Sequence, residues 1–225
     1  DWAIIEMLAA GITASAEMYD FPWADAEVIA KAGMKANITR CGLCFDPEVD
    51  LAADKRFNEC IDFIGWCRAH EGFDDLIMPE LSLHSEYLTN ERFVRGIAEK
   101  AKELGCGINA HVSETRKEHL ECIERHGKTP IVYFNDCGIL DSRFYAAHCV
   151  WADDEDLAIM KEKGASMVHN PSSNLKLGSG IAPVAEAMDL GINIALGTDG
   201  AASNNNLNMF EEMHLAALLC SGANM

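Results

Sequence analysis

Short β-rich runs alternate with stretches of helical periodicity along the whole chain, and this alternation constrains the fold more than any other feature. We predict strands over residues 12–18, 34–39, 76–83, 107–111, 145–148, 165–169 and 192–196. Glycine ends the helical stretch before several of these strands, where a left-handed backbone commonly stops a helix; these glycines are Gly33, Gly105, Gly164 and Gly191. Strands that alternate with helices predict a parallel sheet with right-handed crossovers.

The clearest helical pattern covers residues 90–104, where Phe93, Val94, Ile97 and Ala101 recur at the spacing of one helix face. We predict further helices over residues 115–126, 153–163 and 183–190. No linker or change of composition interrupts the series, so we expect one domain over residues 1–225.

Two α/β architectures fit seven such units: a (β/α)₈ TIM barrel that is incomplete by one strand, and a doubly wound sheet. The unusual polar residues favour the barrel, because they follow the carboxyl ends of the predicted strands, where barrels build their active sites. A doubly wound sheet would more typically carry a glycine-rich loop after its first strand. The segment Glu17–Asp20 does not resemble such a loop.

Composition excludes several classes of function. The 225 residues include 36 acidic and 18 basic side chains, a formal charge of −18 that repels a nucleic-acid backbone. No apolar run reaches the roughly 18 residues that a membrane helix requires. The nine cysteines are an odd number scattered through apolar contexts, which favours reduced thiols and a cytoplasmic location. We therefore expect a small-molecule partner, no nucleic acid and no membrane.

Four polar groups follow four successive predicted strands: His111 with Glu114, then His148, then residues 169–174, then Asp199. Each has a structural interpretation, as a core histidine, a helix cap or a turn. An aspartate directly after an apolar strand needs a cation or several donors, because burying it unpaired is costly. All four together in register favour a functional site more strongly than any one of them.

The segments HVSET, AAHCVW, HNPSSNLKLGSGIAPV and LGTDGAASNNNLNMFEE, in this order, resemble the amidohydrolase superfamily. They are most similar to its branch of 5-methylthioadenosine/S-adenosylhomocysteine deaminases, which is related to the chlorohydrolases. The resemblance implies a metal-dependent hydrolytic deaminase of a purine nucleoside or related amino-heterocycle. It also implies one divalent metal ion, zinc or alternatively iron, whose activated hydroxide attacks the ring carbon that carries the amine.

The resemblance also implies roles for individual residues. His111 matches a metal ligand, and Asp199 matches a ligand that also accepts a proton. Glu114 matches the catalytic acid/base that contacts the substrate, and His148 matches the catalytic imidazole that holds the attacking hydroxide.

Two further residues match substrate-binding positions of the family. His84 matches a residue that contacts the purine ring. Arg56, which we place just before a helix, matches an arginine that reaches the far end of the substrate. Two alternatives stay open: an amidohydrolase with another leaving group, such as a guanine deaminase or a triazine chlorohydrolase, and a non-catalytic degenerate barrel.

The sequence departs from the family pattern at its start. The family takes two metal ligands from a His-x-His pair on its first barrel strand, and no two of the eight histidines here are two residues apart. We therefore expect strands two to eight of the barrel, without the first strand or the β-sandwich domain, and an inactive chain when it is tested alone. Open sheet edges would favour association, for example as a homo-oligomer, or a segment that covers them. We expect His119 and His126 to face solvent.

Overall fold

The computed structural model describes residues 2–73 and 75–223, and seven strands in this part of the chain form one sheet. The strands are Ala14–Tyr19 (β1), Lys35–Arg40 (β2), Ile77–Leu83 (β3), Ile108–Val112 (β4), Phe144–His148 (β5), Ser166–His169 (β6) and Asn193–Leu196 (β7). Each predicted strand is present, and no strand end differs from its prediction by more than about two residues.

The order of the strands in the sheet follows their order in the chain, β1 to β7, and every neighbouring pair is parallel. A doubly wound sheet would reverse this order at a switch point. The alternating strands and helices instead form an incomplete (β/α)₈ TIM barrel, as the sequence predicts. The carboxyl ends of all seven strands therefore lie at one edge of the sheet.

Eleven α-helices connect and follow the strands within the described residues. They are Trp2–Ala9 (α1), Pro22–Lys31 (α2), Lys55–Arg68 (α3), Glu91–Leu104 (α4), Arg116–His126 (α5), Pro130–Asp136 (α6), Asp154–Lys163 (α7), Pro171–Lys176 (α8), Val184–Asp189 (α9), Ala201–Asn204 (α10) and Met209–Ala223 (α11). Two 3₁₀ turns cover Glu86–Leu88 and Ile139–Asp141.

Helix α5 begins and ends where its sequence signals predict. Thr115 caps its first turn by accepting from the backbone N–H of Glu118, and the Glu118 side chain accepts in return from the Thr115 backbone. This reciprocal capping box satisfies two donors that the first turn would otherwise leave free. Gly127 ends the helix in the left-handed region, at φ 68°.

Apolar side chains on the helix face of the sheet form the main core. Phe93, Val94 and Ile97, the predicted stripe of α4, are fully buried and belong to the same cluster as Leu81 of β3 and Ile108 of β4. Burial of an apolar side chain of this size stabilises the fold by about 1.5–3 kcal/mol. The helical pattern in the sequence thus corresponds to the face that packs on the strands.

The opposite face of the sheet, which lines the inside of the barrel, is polar near the amino ends of the strands. Glu80 is fully buried there; it accepts from Asn37 Nδ2 at 3.0 Å and also pairs with Arg143. Asn109 Nδ2 donates to the Tyr145 hydroxyl at 2.6 Å. These partners offset the cost of placing a carboxylate inside the barrel.

Strands β1 and β7 are the two edges of the sheet. The expected association of copies at these edges stays a prediction. None of the helices in residues 2–73 and 75–223 has the length and apolar character that a membrane span needs.

Candidate active site

Strand alternation places His111 inside the barrel mouth. Ile108 and Ala110 of β4 pack in the helix-side core, so Asn109 and His111 point to the opposite face. The ring of His111 is oriented by its Nδ1, which donates to the carbonyl oxygen of His84 at 2.7 Å. A histidine that is protonated at Nδ1 keeps the lone pair of Nε2, and this is the usual arrangement of a histidine that binds a metal.

His84, at the end of β3, lies directly beside His111. The two ring centroids are 4.7 Å apart, and the backbone N–H of His111 also donates to the His84 carbonyl at 3.0 Å. Burial, together with the neighbouring His111 ring, lowers the pKa of His84 to about 4. His84 is therefore a neutral imidazole at pH 7, able to donate and to accept one hydrogen bond.

His148 reaches the same cluster because its backbone leaves the extended conformation. Phe144 and Ala146 of β5 face the helix-side core, and strict alternation would send His148 the same way. Its φ of 72°, followed by 49° at Cys149, turns the chain instead. The His148 ring stacks against His111 with centroids 5.4 Å apart. Left-handed conformations at residues other than glycine are costly and concentrate at functional sites.

Glu114 completes this side of the mouth. Its Oε2 lies 3.8 Å from Nε2 of His148, and its side chain is 22% exposed, so it reaches both the cluster and solvent. Burial and the neighbouring His148 lower the pKa of His111, whereas the negative charges of Glu114 and Asp199 raise it. The imidazole of His111 is therefore favoured in its neutral form, which can bind a cation.

Asp199 lies in the loop after β7, also with a left-handed backbone, at φ 60°. Its Oδ2 accepts from the hydroxyl of Ser173 at 2.6 Å, and its Oδ1 accepts from the backbone N–H of Gly200 at 2.7 Å. The negative charge of this carboxylate partly opposes the lowering of the pKa of both His84 and His111, so it acts on the same cluster. The structure therefore brings the four predicted residues of the metal and catalytic site around one mouth.

Arg56 has other partners. It belongs to the first turn of α3 rather than preceding the helix, which corrects the sequence-based placement. Its Nη1 donates to Asp20 Oδ1 at 2.7 Å and to the Cys41 carbonyl at 3.3 Å. No hydrogen bond or ion pair among the described residues joins Arg56 to the histidine cluster.

The expectation that His119 and His126 face solvent is wrong for His119, whereas His126 is 28% exposed. His119 is 8% exposed, and its Nδ1 lies 3.1 Å from the hydroxyl of Ser113. His126 bonds through Nε2 to the buried carboxylate of Glu86 at 2.7 Å. Both histidines lie on α5, and each has a hydrogen-bond partner within the fold. A pattern of apolar residues does not reveal such partners.

The turn that carries Glu114 is held by Glu118, which the sequence identified only as part of a helix. Its carboxylate accepts from the backbone N–H groups of Ser113 at 3.0 Å, Glu114 at 2.8 Å and Thr115 at 3.4 Å. Ser113 has φ 48°, a left-handed conformation that these bonds stabilise. The signal in the sequence was the Thr115–Glu118 capping-box spacing.

Sequence reasoning also missed the roles of Ser173 and Asn174. Residues 170–174 suggested either a functional segment or turn chemistry, but the structure forms α8 there. Ser173 bonds to Asp199, and Oδ1 of Asn174 lies 2.8 Å from Nδ1 of His148. Both residues are buried.

A divalent metal has suitable donors here, but not a full set. Nε2 of His111 and the carboxylate of Asp199 are the nitrogen and oxygen ligands that zinc takes in proteins. No group of three or more His, Cys, Asp or Glu side chains in the described part of the chain is arranged as a metal site. The residues fit part of a coordination sphere, since zinc sites have four ligands and a catalytic site takes three of them from the protein.

Several known proteins are similar to this chain in sequence. A 5-methylthioadenosine/S-adenosylhomocysteine deaminase of Acetivibrio thermocellus is 44% identical over 223 residues, which are 99% of this chain and 50% of that protein. A 5'-deoxyadenosine deaminase of Methanopyrus kandleri is 41% identical over 96% of this chain and 49% of its own length. The chain thus spans about half the length of these curated relatives.

Solved structures agree with the fold. A zinc-bound adenosine deaminase from Xanthomonas campestris superposes with a TM-score of 0.90 at 30% identity, over 99% of this chain and 50% of its own. The guanine deaminase of C. acetobutylicum reaches a TM-score of 0.87 at 19% identity, which shows a shared fold alone. The model of the amidohydrolase family matches residues 3–224. This chain therefore belongs to the amidohydrolase family.

Proposed function

We propose that this chain forms most of the active site of a metal-dependent deaminase that acts on adenosine-type nucleosides, with 5-methylthioadenosine and S-adenosylhomocysteine as the favoured substrates. The observation that carries the proposal is the approach of Glu114 to His148, at 3.8 Å, beside the oriented ring of His111. The substrate class is supported by the named activities of three relatives that are 40–44% identical to this chain.

His111 and Asp199 would hold the divalent cation, zinc with iron as the alternative. A bound cation of this kind makes hydroxide available from water near neutral pH. His111 and Asp199 alone leave the coordination sphere incomplete. We propose that the remaining ligands come from outside the 225 residues. We therefore propose that the 225-residue chain is inactive when it is tested alone.

The chain's own residues carry the proton transfers. Glu114 takes up the proton that the attacking water loses and delivers it to the ring nitrogen beside the amine, as the resulting hydroxide adds to the ring carbon. His148 positions the attacking oxygen through Nε2. Asp199 accepts the remaining proton of this oxygen and passes it to the amine, so that the carbon–nitrogen bond breaks, ammonia leaves and a ring carbonyl remains. General acid–base steps of this kind contribute about 10²–10⁴-fold to the rate.

Substrate contacts fall to His84 and Arg56 in this proposal. His84 is a neutral imidazole beside His111, suited to a hydrogen bond with a purine nitrogen. Arg56 would reach the far end of the nucleoside and would exchange part of its bonding to Asp20 for that contact. Glu114 contacts the base as it transfers the proton.

The test compares the chain alone with a chimaera in which the matched half of the Acetivibrio thermocellus relative is replaced by this chain. Ammonia release is measured with 5-methylthioadenosine, S-adenosylhomocysteine, adenosine, guanine and a chlorotriazine. We expect the chimaera to deaminate the adenosine-type substrates and the chain alone to be inactive. A preference for guanine or the triazine would show that the protein has another amidohydrolase activity. An inactive chimaera that is folded and binds zinc would favour a non-catalytic barrel.

A further inference from the structure

Two consecutive residues of α8 bind two different groups of the site. Ser173 donates its hydroxyl proton to Oδ2 of Asp199 at 2.6 Å, and Oδ1 of Asn174 lies 2.8 Å from Nδ1 of His148. Asp199 follows β7 and His148 ends β5, so a helix after β6 joins the strand on each side of it. Ser173 is fully buried and Asn174 is 1% exposed, so water does not compete for either bond.

The helix that carries these residues is itself fastened to α11. The backbone N–H of Ser172 donates to Oε2 of Glu212 at 3.1 Å, and Glu212 is fully buried. The other carboxylate oxygen of Glu212 accepts from Nδ2 of Asn204 at 2.7 Å, and the same Nδ2 lies 2.8 Å from the Thr198 carbonyl. Glu212 therefore connects both α8 and the loop that contains Asp199 to α11.

We propose that Ser173 and Asn174 are the positioning residues of this site. Asn174 holds His148 in the tautomer that is protonated at Nδ1, so that Nε2 points its lone pair toward Glu114. Ser173 holds the Asp199 carboxylate in the orientation that the cation requires. This inference rests on the proposed function for its catalytic consequence, but the two hydrogen bonds are observed independently of it, and the tautomer can be measured without it.

The left-handed backbones of His148 and Asp199 explain why such support is needed. With φ values of 72° and 60°, both residues occupy conformations that their surroundings must stabilise. A hydrogen bond to each side chain from one fixed helix restricts both residues at once. Residues that orient metal-site side chains in this way change metal affinity or activity by about 10–100-fold when they are mutated.

The first arm of the test is NMR of the metal-free chain labelled with ¹⁵N-histidine, at pH 8. We expect His148 of the wild type to carry its proton on Nδ1, and Asn174→Leu to lose this preference while Asn174→Asp, which keeps the acceptor oxygen, retains it. A wild-type His148 protonated at Nε2 would overturn the proposal, and so would an unchanged tautomer in Asn174→Leu. If Asn174→Leu does not fold, the wild-type spectrum decides alone.

The second arm measures zinc affinity and steady-state kinetics of the chimaera that carries Ser173→Ala. The matched control is Ser172→Ala, since the Ser172 hydroxyl is buried on the same helix and has no hydrogen-bond partner within residues 2–73 and 75–223. We expect Ser173→Ala to lower zinc affinity and kcat by about 10–100-fold with little change in KM, and Ser172→Ala to match the wild type. Equal behaviour of the two variants would overturn the role of Ser173.

The two arms also separate this inference from the proposed function. If no substrate is deaminated by any form, the proposed function fails, whereas the tautomer of His148 and the zinc affinity still decide the positioning roles. If deamination is found and Asn174→Leu keeps the wild-type tautomer of His148, the positioning role of Asn174 fails and the proposed function stands.

Discussion

Oε2 of Glu114 lies 3.8 Å from Nε2 of His148, although the two residues come from different strand–loop junctions. This approach requires both junctions to leave regular geometry: Ser113 has φ 48° and His148 has φ 72°. A carboxyl group and an imidazole that face one another over a partly open mouth can share the transfer of protons to and from a bound molecule.

Replacing Glu114 with Gln removes the proton donor while it keeps the shape of the side chain. We expect kcat of the chimaera to fall by about 10²–10⁴-fold, because a general acid is lost. The melting temperature should not change, because among the described residues the Glu114 side chain pairs only with His148. The matched control is Glu124→Gln, an exposed glutamate on α5, which should keep wild-type activity. Retention of more than a tenth of the wild-type kcat in Glu114→Gln would contradict its assignment as the acid.

Replacing His111 with Ala removes the imidazole that is oriented toward the mouth. We expect the chimaera to bind zinc at least about 100-fold more weakly, because the site then has fewer protein ligands than the three that a catalytic zinc site usually takes. Zinc affinity is measured by competition with a chromogenic chelator. His214→Ala, at an exposed position on α11, is the control and should bind zinc as the wild type does. Equal affinity of the two variants would exclude His111 as a ligand.

Replacing Phe93 with Ala tests the helix-side core. Phe93 is fully buried and makes an edge-to-face contact with Phe57, with centroids 5.5 Å apart. We expect the free energy of unfolding to fall by about 3–5 kcal/mol in urea titrations, because the substitution leaves a cavity. Phe45→Ala, at a residue that is 73% exposed, should stay within about 0.5 kcal/mol of the wild type. Similar losses for both variants would show that this core is wrongly described.

The stability of the metal-free chain should fall in mild acid through His169. Burial, together with the neighbouring His148, lowers the pKa of His169 from its usual value of 6.5 to about 4. The folded state therefore binds fewer protons than the unfolded state between these values, so this contribution is present above pH 6.5 and is lost as the pH falls toward 4.

We expect His169→Gln to reduce the loss of unfolding free energy between pH 7.5 and 4.5 by roughly 2–3 kcal/mol relative to the wild type. The comparison is made between the two proteins, because carboxyl groups that titrate in the same range contribute equally to both. His214→Ala, which removes an exposed imidazole, serves as the control and should follow the wild-type pH dependence. An identical pH dependence in His169→Gln would show that His169 is not a buried neutral imidazole.

The fold could be predicted from the sequence because its signals are local. Gly105 and Gly164 end helices in the left-handed region, at φ 62° and 67°, and a strand follows each of them. The apolar stripe of α4 requires only the 3.6-residue period of a helix. His111, His148 and Asp199 could be placed at one edge because parallel strands that alternate with helices end on the same side.

The parts of the site that could not be predicted from the sequence depend on contacts that no local pattern encodes. The bonds from Ser173 to Asp199 and from Asn174 to His148 join residues that are 26 positions apart in the chain. Glu86 follows β3 and binds Arg125 and His126 in the last turn of α5. The His126 side chain is therefore only 28% exposed. Such partners are defined only when the strands have been assembled.

We propose that His111 and Asp199 hold one cation and that Glu114 and His148 face the same side of it. Anomalous diffraction at the zinc edge, from crystals of the zinc-loaded chimaera, measures the position of that cation directly. We expect one peak in contact with Nε2 of His111 and the carboxylate of Asp199, with Glu114 and His148 facing the same side of it. A peak that contacts neither His111 nor Asp199 would contradict the account.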